Sequence, residues 1–374
     1  MLLENAIIIN DRFEMLKQDV LLQNGKITAL GTNLRDTEKL DLSGYILAPG
    51  YVDLHIHGYH GINLLEAGEE ELKELSLLLA REGITSFVAT AASIDEEHLL
   101  AAINRLHSAV EGGLPGAQMV GIYLEGPFLS HKKKGAMKES ALRLPDIALM
   151  KQLMEAAGGL VKIVALAPEL PGAEEFISFC RQNGIVVSLA HTAADYETAK
   201  RSFDWGITHV THLYNAMSPF QHRDPGAVGA VFESNATAEL ICDGFHVAPA
   251  AVRIAVRLLG TDRICLISDD TMLSGLPDGS YLMDGQRSII REHTCRLESG
   301  AINGNANPLS FCVQQAVRFG ISLSNAVRMA SDTPARAIGL SQTGKIQIGM
   351  DADLVVLDQK YQPQMTFVKG VRVF

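Results

Sequence analysis

The amino-acid sequence predicts an α/β protein in which a TIM-like (β/α)8 barrel carries a small β-sandwich domain formed by both termini. Three observations lead to this prediction. The middle of the chain contains eight apolar runs of strand length, helical stretches separate most of them, and both ends contain only short strands. Alternating strands and helices over this length are typical of a parallel barrel, whose functional groups lie at the carboxyl ends of its strands.

The composition is that of a globular protein with enough apolar residues for a large core. The chain has 374 residues, 47% of them hydrophobic and 20% charged, which suits one barrel plus a modest second unit. The formal net charge of -11 disfavours a nucleic-acid-binding face, and no apolar run is long enough to span a membrane. Five cysteines without a CxxC pattern predict reduced, buried thiols in a cytoplasmic protein.

The two ends of the chain predict the β-sandwich. Asn24-Gly25 is a tight-turn signal between two predicted strands, and Lys369-Gly370 is a second turn. Neither end is large enough to bury a core alone, so we expect residues 1–49 and 341–374 to form one domain and residues 50–340 to form the barrel. The predicted strands are Ala6–Ile9, Asp19–Gln23, Lys26–Leu30, Tyr45–Leu47, Gly344–Ile348, Asp353–Leu357 and Thr366–Phe374.

The barrel strands are the apolar runs between these ends. They are Tyr51–His55, Ile84–Thr90, Met119–Leu124, Val161–Ala167, Ile185–Ala190, Ile207–Thr211, Ala238–Cys242 and Ile264–Ser268. Several of the helices between them end at a glycine, a natural helix stop. The predicted helices are Glu69–Glu82, Glu96–Val110, Asp146–Ala157, Ala173–Asn183, Asp195–Phe203, Pro249–Leu259, Leu309–Phe319 and Ser324–Ile338, and Gly279–Gly300 is expected to be an inserted hairpin.

Metal-ligand side chains follow the predicted barrel strands. An HxH pair on a solvated strand or a carboxylate at a surface turn would be unremarkable alone, but so many at the strand ends of one barrel favour a metal site. Imidazole and carboxylate without thiolate suit Zn²⁺, Fe²⁺, Co²⁺ or Mn²⁺. The candidates are His55 and His57 at strand one, Glu125 at strand three, His191 at strand five, His212 at strand six and Asp269 at strand eight.

A metal-activated water also needs a carboxylate that accepts its proton and returns it to the leaving group. Asp269, at the end of the last strand, is the candidate for this general acid/base. The neighbouring Asp270 is interpreted as a loop acid.

Several sequence strings connect the chain with a known family. It resembles the amidohydrolase superfamily and, within it, is similar to the N-acetylglucosamine-6-phosphate deacetylases. The matching strings cover nearly the whole chain. They include Leu124-Glu125-Gly126-Pro127-Phe128, Ala190-His191-Thr192, His212-Leu213-Tyr214-Asn215-Ala216-Met217, Arg223-Asp224-Pro225-Gly226, Asp243-Gly244-Phe245-His246 and Ser268-Asp269.

The resemblance implies an enzyme that removes the N-acetyl group from a phosphorylated amino sugar. It assigns Glu125, His191 and His212 as the main metal ligands and Asp269 as the acid/base. The presence of His55 and His57 implies a second metal, so one or two divalent ions per chain are expected. It also implies a homodimer or higher homo-oligomer. The substrate-contacting positions that it implies are Ala136, Met137, Asn215, Ala216, Arg223, Asp243, His246, Ile302, Asn303 and Gly304.

The sequence departs from the family pattern in two places. Met137 stands where the family often has a histidine, and Ile302-Asn303-Gly304-Asn305 replaces a different string near the sugar. These differences leave the gluco or galacto identity of the sugar open.

Two alternatives to this function stay open. One is an amidohydrolase that acts on a cyclic amide or an N-acyl amino acid, which often uses a carboxylated lysine at the end of strand four; here the only lysine of that strand, Lys162, stands at its start. The other is a non-catalytic relative, against which the intact ligand set counts.

Overall fold

The computed structural model describes residues 1–283, 285–300 and 302–374. Eight parallel strands form one sheet in which each strand pairs with the next along the chain, so the predicted barrel is confirmed. The strands are Tyr51–Ile56, Ile84–Ala92, Gln118–Glu125, Val161–Leu166, Val186–Leu189, His209–Val210, Thr237–Ile241 and Ile264–Ile267.

The first and last barrel strands meet just beyond the end of the eighth strand. The Asp269 N–H donates to the carbonyl oxygen of His55 at 2.9 Å, and the His57 N–H donates to that of Asp270 at 2.7 Å. The Asp53 carboxylate also accepts from the Ser268 N–H at 3.3 Å. These bonds close the ring of strands and place Asp269 beside the histidine pair.

In the part of the chain that the structure describes, at least one helix follows each of the eight barrel strands. Val52 and Leu54 of the first strand pack with Ala335 and Ile338, and the alternate side chains of this strand point to the barrel interior. The helices are Glu69–Arg81, Glu96–Gly112, Ile147–Ala156, Ala173–Gln182, Tyr196–Trp205, Gly226–Glu233, Pro249–Leu259, Leu309–Arg318, Leu323–Ala330 and Asp332–Ala337.

Two of these helical segments differ from the prediction. The helix Gly226–Glu233 was not expected, because it is short and begins at Pro225-Gly226, a pair that indicates a turn. The single helix predicted at Ser324–Ile338 is two helices. They are separated at Ser331, whose φ of -135° and ψ of -78° lie outside the helical region.

Two packed sheets form a β-sandwich from both termini, as predicted; the first sheet has only N-terminal strands, and the second joins strands of both ends of the chain. One sheet has the strand order Lys26–Gly31, Asp19–Gln23, Leu2–Glu4, Lys39–Asp41. The other has the order Val371–Arg372, Pro363–Val368, Leu354–Leu357, Ile46–Pro49, Ile7–Ile9, Met15–Lys17. Apolar side chains of both sheets, including Leu3, Ile27, Leu47, Leu354 and Phe367, share one buried core. The division of the chain at residues 49/50 and 340/341 stays a proposal.

The predicted strand Gly344–Ile348 is wrong. The segment is irregular, and Ile346 is buried in the core of the sandwich without belonging to a strand. Its apolar side chain therefore gave a strand-like pattern without a ladder of backbone hydrogen bonds. The turns at Asn24-Gly25 and Lys369-Gly370 are confirmed.

The insertion after the eighth strand is larger than the predicted hairpin. It is an antiparallel sheet of four strands, Gly279–Met283, Gln286–Arg291, Thr294–Leu297 and Ile302–Asn305. All five cysteines are free and buried. Within the described residues, no helix combines the length and hydropathy needed to cross a membrane.

Candidate metal centre and active site

The carboxyl ends of the barrel strands bring the predicted ligands together. Glu125 is the last residue of the third strand, and His191, His212 and Asp269 each follow their strand by two residues. All of them and His57 line one cavity of about 350 Å³, whereas His55 is fully buried at its base.

Glu125, His191 and His212 form a first group that could hold a metal ion. Glu125 Oε1 lies 3.2 Å from His191 Nε2 and 3.1 Å from His212 Nε2, and the two nitrogens are 3.1 Å apart. His191 Nδ1 donates to the Lys133 carbonyl at 2.7 Å, which leaves an electron pair on Nε2. Three ligands of a tetrahedral metal at ~2.0 Å are separated by about 3.3 Å, so these side chains fit a divalent ion.

His55, His57 and Glu125 form a second group of the same kind. The two Nε2 atoms are 3.2 Å apart, and His57 Nε2 lies 3.2 Å from Glu125 Oε2. Asp269 Oδ1 is 3.5 Å from both Nε2 atoms. Glu125 belongs to both groups, because its Oε2 faces His57 and its Oε1, which faces His191 and His212, also lies 3.5 Å from His55 Nε2.

The electrostatics of this cluster favour added positive charge. Burial acts to lower the pKa of His55, but Glu239, Glu125 and Asp269 together raise it well above its ordinary value. Burial acts to raise the pKa of Glu125, but His55, His191 and His212 hold it well below its usual range. Buried carboxylates in such density need a cation, and a divalent metal would supply it.

Three of the candidate residues at the metal centre have strained backbones. The φ angles are 41° at His191, 27° at His212 and 54° at Asp269, in the region that favours glycine. Such conformations cost about 1–3 kcal/mol each and cluster at functional sites. The turn at each strand end therefore directs these side chains inward against the local preference of the backbone.

Most of the predicted substrate-contacting residues line the same cavity. Eight of them do so, and the last three lie on the inserted sheet: Ala136, Met137, Asn215, Ala216, His246, Ile302, Asn303 and Gly304. Asp243 lies behind His246, whose Nδ1 donates to its carboxylate at 2.7 Å. Arg223 is exposed and does not belong to the cavity lining of a single chain.

The loop after His212 offers hydrogen-bond donors to the cavity. The Asn215 N–H is already used, because it donates to the His212 carbonyl at 2.9 Å. Ala216 has a φ of 50°, and in the described chain its N–H has no hydrogen-bond acceptor. The Asn215 side-chain amide donates to the carbonyl oxygens of His212 and Leu213 at 3.4 and 3.3 Å, so the Ala216 N–H is the backbone donor that this loop leaves available within the described residues.

Two acidic residues have positions that the sequence did not indicate. Asp270 is fully buried rather than a loop acid, because backbone pairing of the eighth strand with Ile56 continues to this residue. Glu239, within the seventh strand, is also fully buried and contacts His55 Nδ1 at 2.9 Å. The signal for Glu239 was present, since a carboxylate between Ala238 and Leu240 in an apolar strand needs a partner.

Residues 46–373 match the model of the Amidohydrolase family. The chain belongs to the amidohydrolase family. It is 34% identical to the N-acetylglucosamine-6-phosphate deacetylase of Bacillus subtilis (strain 168) over 383 aligned residues, which cover 99% of this chain and 96% of the relative. It is equally 34% identical to the N-acetylgalactosamine-6-phosphate deacetylase of Escherichia coli O157:H7, with 87% of each chain covered.

A solved structure shares the whole fold of this amidohydrolase. It is a mutant N-acetyl-D-glucosamine-6-phosphate deacetylase from Mycobacterium smegmatis in complex with N-acetyl-D-glucosamine-6-phosphate. The TM-score is 0.94 at 32% identity, and the match covers 100% of this chain and 99% of that chain. The resemblance inferred from the sequence strings is therefore confirmed.

Proposed function

We propose that this amidohydrolase removes the N-acetyl group from N-acetylglucosamine 6-phosphate or a close N-acetylhexosamine 6-phosphate, releasing acetate and the amino-sugar phosphate. The observation that carries the proposal is that Glu125, His191, His212 and Asp269 converge on one cavity. The Asn215–Ala216 loop lines the same cavity. The names of the relatives from B. subtilis, E. coli and M. smegmatis support the same substrate class.

Glu125, His191 and His212 would hold a first divalent ion, and His55 and His57 would hold a second with Glu125 between them. When bound, such an ion lowers the pKa of a water molecule towards ~7 and polarises the amide carbonyl. The donor set of imidazole and carboxylate suits Zn²⁺, Fe²⁺, Co²⁺ or Mn²⁺.

Asp269 would transfer the proton. Its Oδ1 faces the His55 and His57 rings at 3.5 Å, and its side chain also lines the cavity. Attack by water on the acetyl carbon forms a C–O bond and releases a proton, which Asp269 accepts. When the C–N bond breaks, Asp269 returns that proton to the nitrogen, because an amine leaves readily only when protonated.

The phosphate would bind at the other end of the cavity. Asn215 and Ala216 line the cavity and the Ala216 N–H is an available donor, while the Asp243 carboxylate accepts from His246 Nδ1 and holds this ring. The family resemblance implies that this arginine reaches the site of a neighbouring subunit, and we propose that Arg223, which lies outside the cavity of its own chain, binds the phosphate held by a second copy in a homodimer.

The test is acetate release from a panel of substrates. We expect turnover of N-acetylglucosamine 6-phosphate, its galacto epimer or both, with much weaker turnover of the unphosphorylated sugars. An N-acyl amino acid and a cyclic amide serve as the comparison substrates. Turnover of one of those without turnover of any sugar phosphate would overturn the proposal.

A further inference from the structure

One buried carboxylate contacts residues of both candidate metal groups. Glu239 is 0% exposed, and its Oε2 accepts from His55 Nδ1 at 2.9 Å and from the backbone N–H of His212 at 3.1 Å. A single oxygen atom thus links the first barrel strand with the turn after the sixth. His55 belongs to the second metal group and His212 to the first.

The other oxygen of Glu239 is held by a histidine that contacts no candidate ligand. His209 Nε2 lies 3.2 Å from Glu239 Oε1, and His209 Nδ1 lies 2.6 Å from Thr237 Oγ1. His209 is itself 0% exposed. The carboxylate is therefore fixed on both sides within the barrel interior, where its orientation has little freedom.

We propose that Glu239 is a positioning residue that sets the ligand geometry of both metal groups. By accepting from Nδ1 it fixes the His55 tautomer and turns the Nε2 electron pair towards the cavity. By accepting from the His212 N–H it stabilises the strained turn, with a φ of 27°, that directs this imidazole at Glu125. His209 influences the metal ligands only by holding the Glu239 carboxylate in place. The inference rests on the proposed metal centre, but not on the identity of the sugar.

The first test is Glu239→Gln, a nearly isosteric change that removes the charge. Apoprotein is titrated with Zn²⁺ or Mn²⁺, and the bound metal per chain is measured by elemental analysis, alongside the melting temperature of the apoprotein. Loss of a carboxylate that orients a metal-bound histidine typically costs about 10- to 100-fold in metal affinity. We expect that loss, and a fall in kcat at nearly constant KM, while the apoprotein melts close to the wild type. Unchanged metal affinity in the folded variant would overturn the proposal.

A matched pair at His209 tests the same inference if Glu239→Gln does not fold. The asparagine amide in His209→Asn occupies the place of Nδ1 and keeps the Thr237 contact, but it removes the donor to Glu239. The glutamine amide in His209→Gln occupies the place of Nε2 and keeps that donor. We expect weaker metal binding only in His209→Asn. Equal affinity in the two variants would contradict a role through Glu239.

Ser188→Ala is the control for general disturbance of the barrel interior. Ser188 is fully buried, and within the described residues its side chain bonds Thr211 Oγ1 at 2.7 Å without a direct hydrogen bond to a candidate ligand or to Glu239. Removal of this hydroxyl is expected to leave the metal affinity unchanged. If Ser188→Ala weakens metal binding as much as Glu239→Gln does, any change in the barrel interior has this effect. Because the readout is metal binding, a wild type that binds metal without releasing acetate would refute the proposed function alone.

Discussion

The backbone N–H of Asp269 donates to the carbonyl oxygen of His55 at 2.9 Å, across the seam between the last and first barrel strands. This bond places the proposed acid/base 3.5 Å from His55 Nε2. The contacts that close the barrel therefore also position Asp269 in the active site. A change that opens the seam is expected to reduce activity as well as stability.

The first prediction concerns proton transfer by Asp269. Asp269→Asn is nearly isosteric, so the fold and the metal content are expected to stay close to the wild type. An amide cannot accept and return the proton, so kcat is expected to fall about 10²-fold or more. The measurement is the steady-state rate of acetate release at equal metal content. A kcat near that of the wild type would show that another group transfers the proton.

The second prediction concerns the HxH pair. His57 Nε2 lies 3.2 Å from Glu125 Oε2 and outside the first metal group. His57→Ala is therefore expected to lower the metal content by no more than one ion per chain and to retain the ion of Glu125, His191 and His212. Elemental analysis of the purified variant measures this. If all the metal disappears, the two groups do not bind independently.

The third prediction concerns the phosphate. Hydrogen bonds to charged groups contribute about 1.5–3 kcal/mol, so Arg223→Ala is expected to reduce kcat/KM for the phosphorylated sugar about 10- to 100-fold. The unphosphorylated sugar is expected to lose far less. Arg201, exposed on the helix Tyr196–Trp205, provides the control Arg201→Ala. Equal losses on both substrates would assign Arg223 a structural role instead.

The fourth prediction concerns sugar selectivity at Met137. Met137 lines the cavity, and a thioether cannot donate the hydrogen bond that a histidine would. One neutral hydrogen bond is worth ~0.5–1.5 kcal/mol, so Met137→His is expected to change the ratio of kcat/KM for the gluco and galacto epimers by a few-fold to about tenfold. A wild type strictly selective for the gluco form, with both values unchanged in Met137→His, would contradict the hypothesis.

The sequence predicted those parts of the fold that depend on local pattern. The eight barrel strands were found because their apolar runs have strand length, and the ligands were found because they follow those runs. The local sequence pattern fails to predict the structure where tertiary contacts determine it. Ile346 is apolar because it is buried in the sandwich core, not because it lies in a strand.

The same distinction explains the site. His191 and Glu125 are recognisable from their own positions, but the role of Glu239 depends on His55, 184 residues earlier in the chain. No sequence feature near either residue indicates that these two side chains pair. Likewise, the resemblance implied a contact between Arg223 and the substrate, by way of a neighbouring subunit, and the structure shows that Arg223 lies outside the cavity lining of a single chain.

The central claim is that a metal held by Glu125, His191 and His212 is required for amide hydrolysis. The most direct measurement is acetate release by chelated apoprotein during titration with one divalent metal, with bound metal counted in the same samples. We expect no release without metal, and activity that rises with bound metal and saturates at about one to two ions per chain. Full activity in protein without detectable metal would contradict the account.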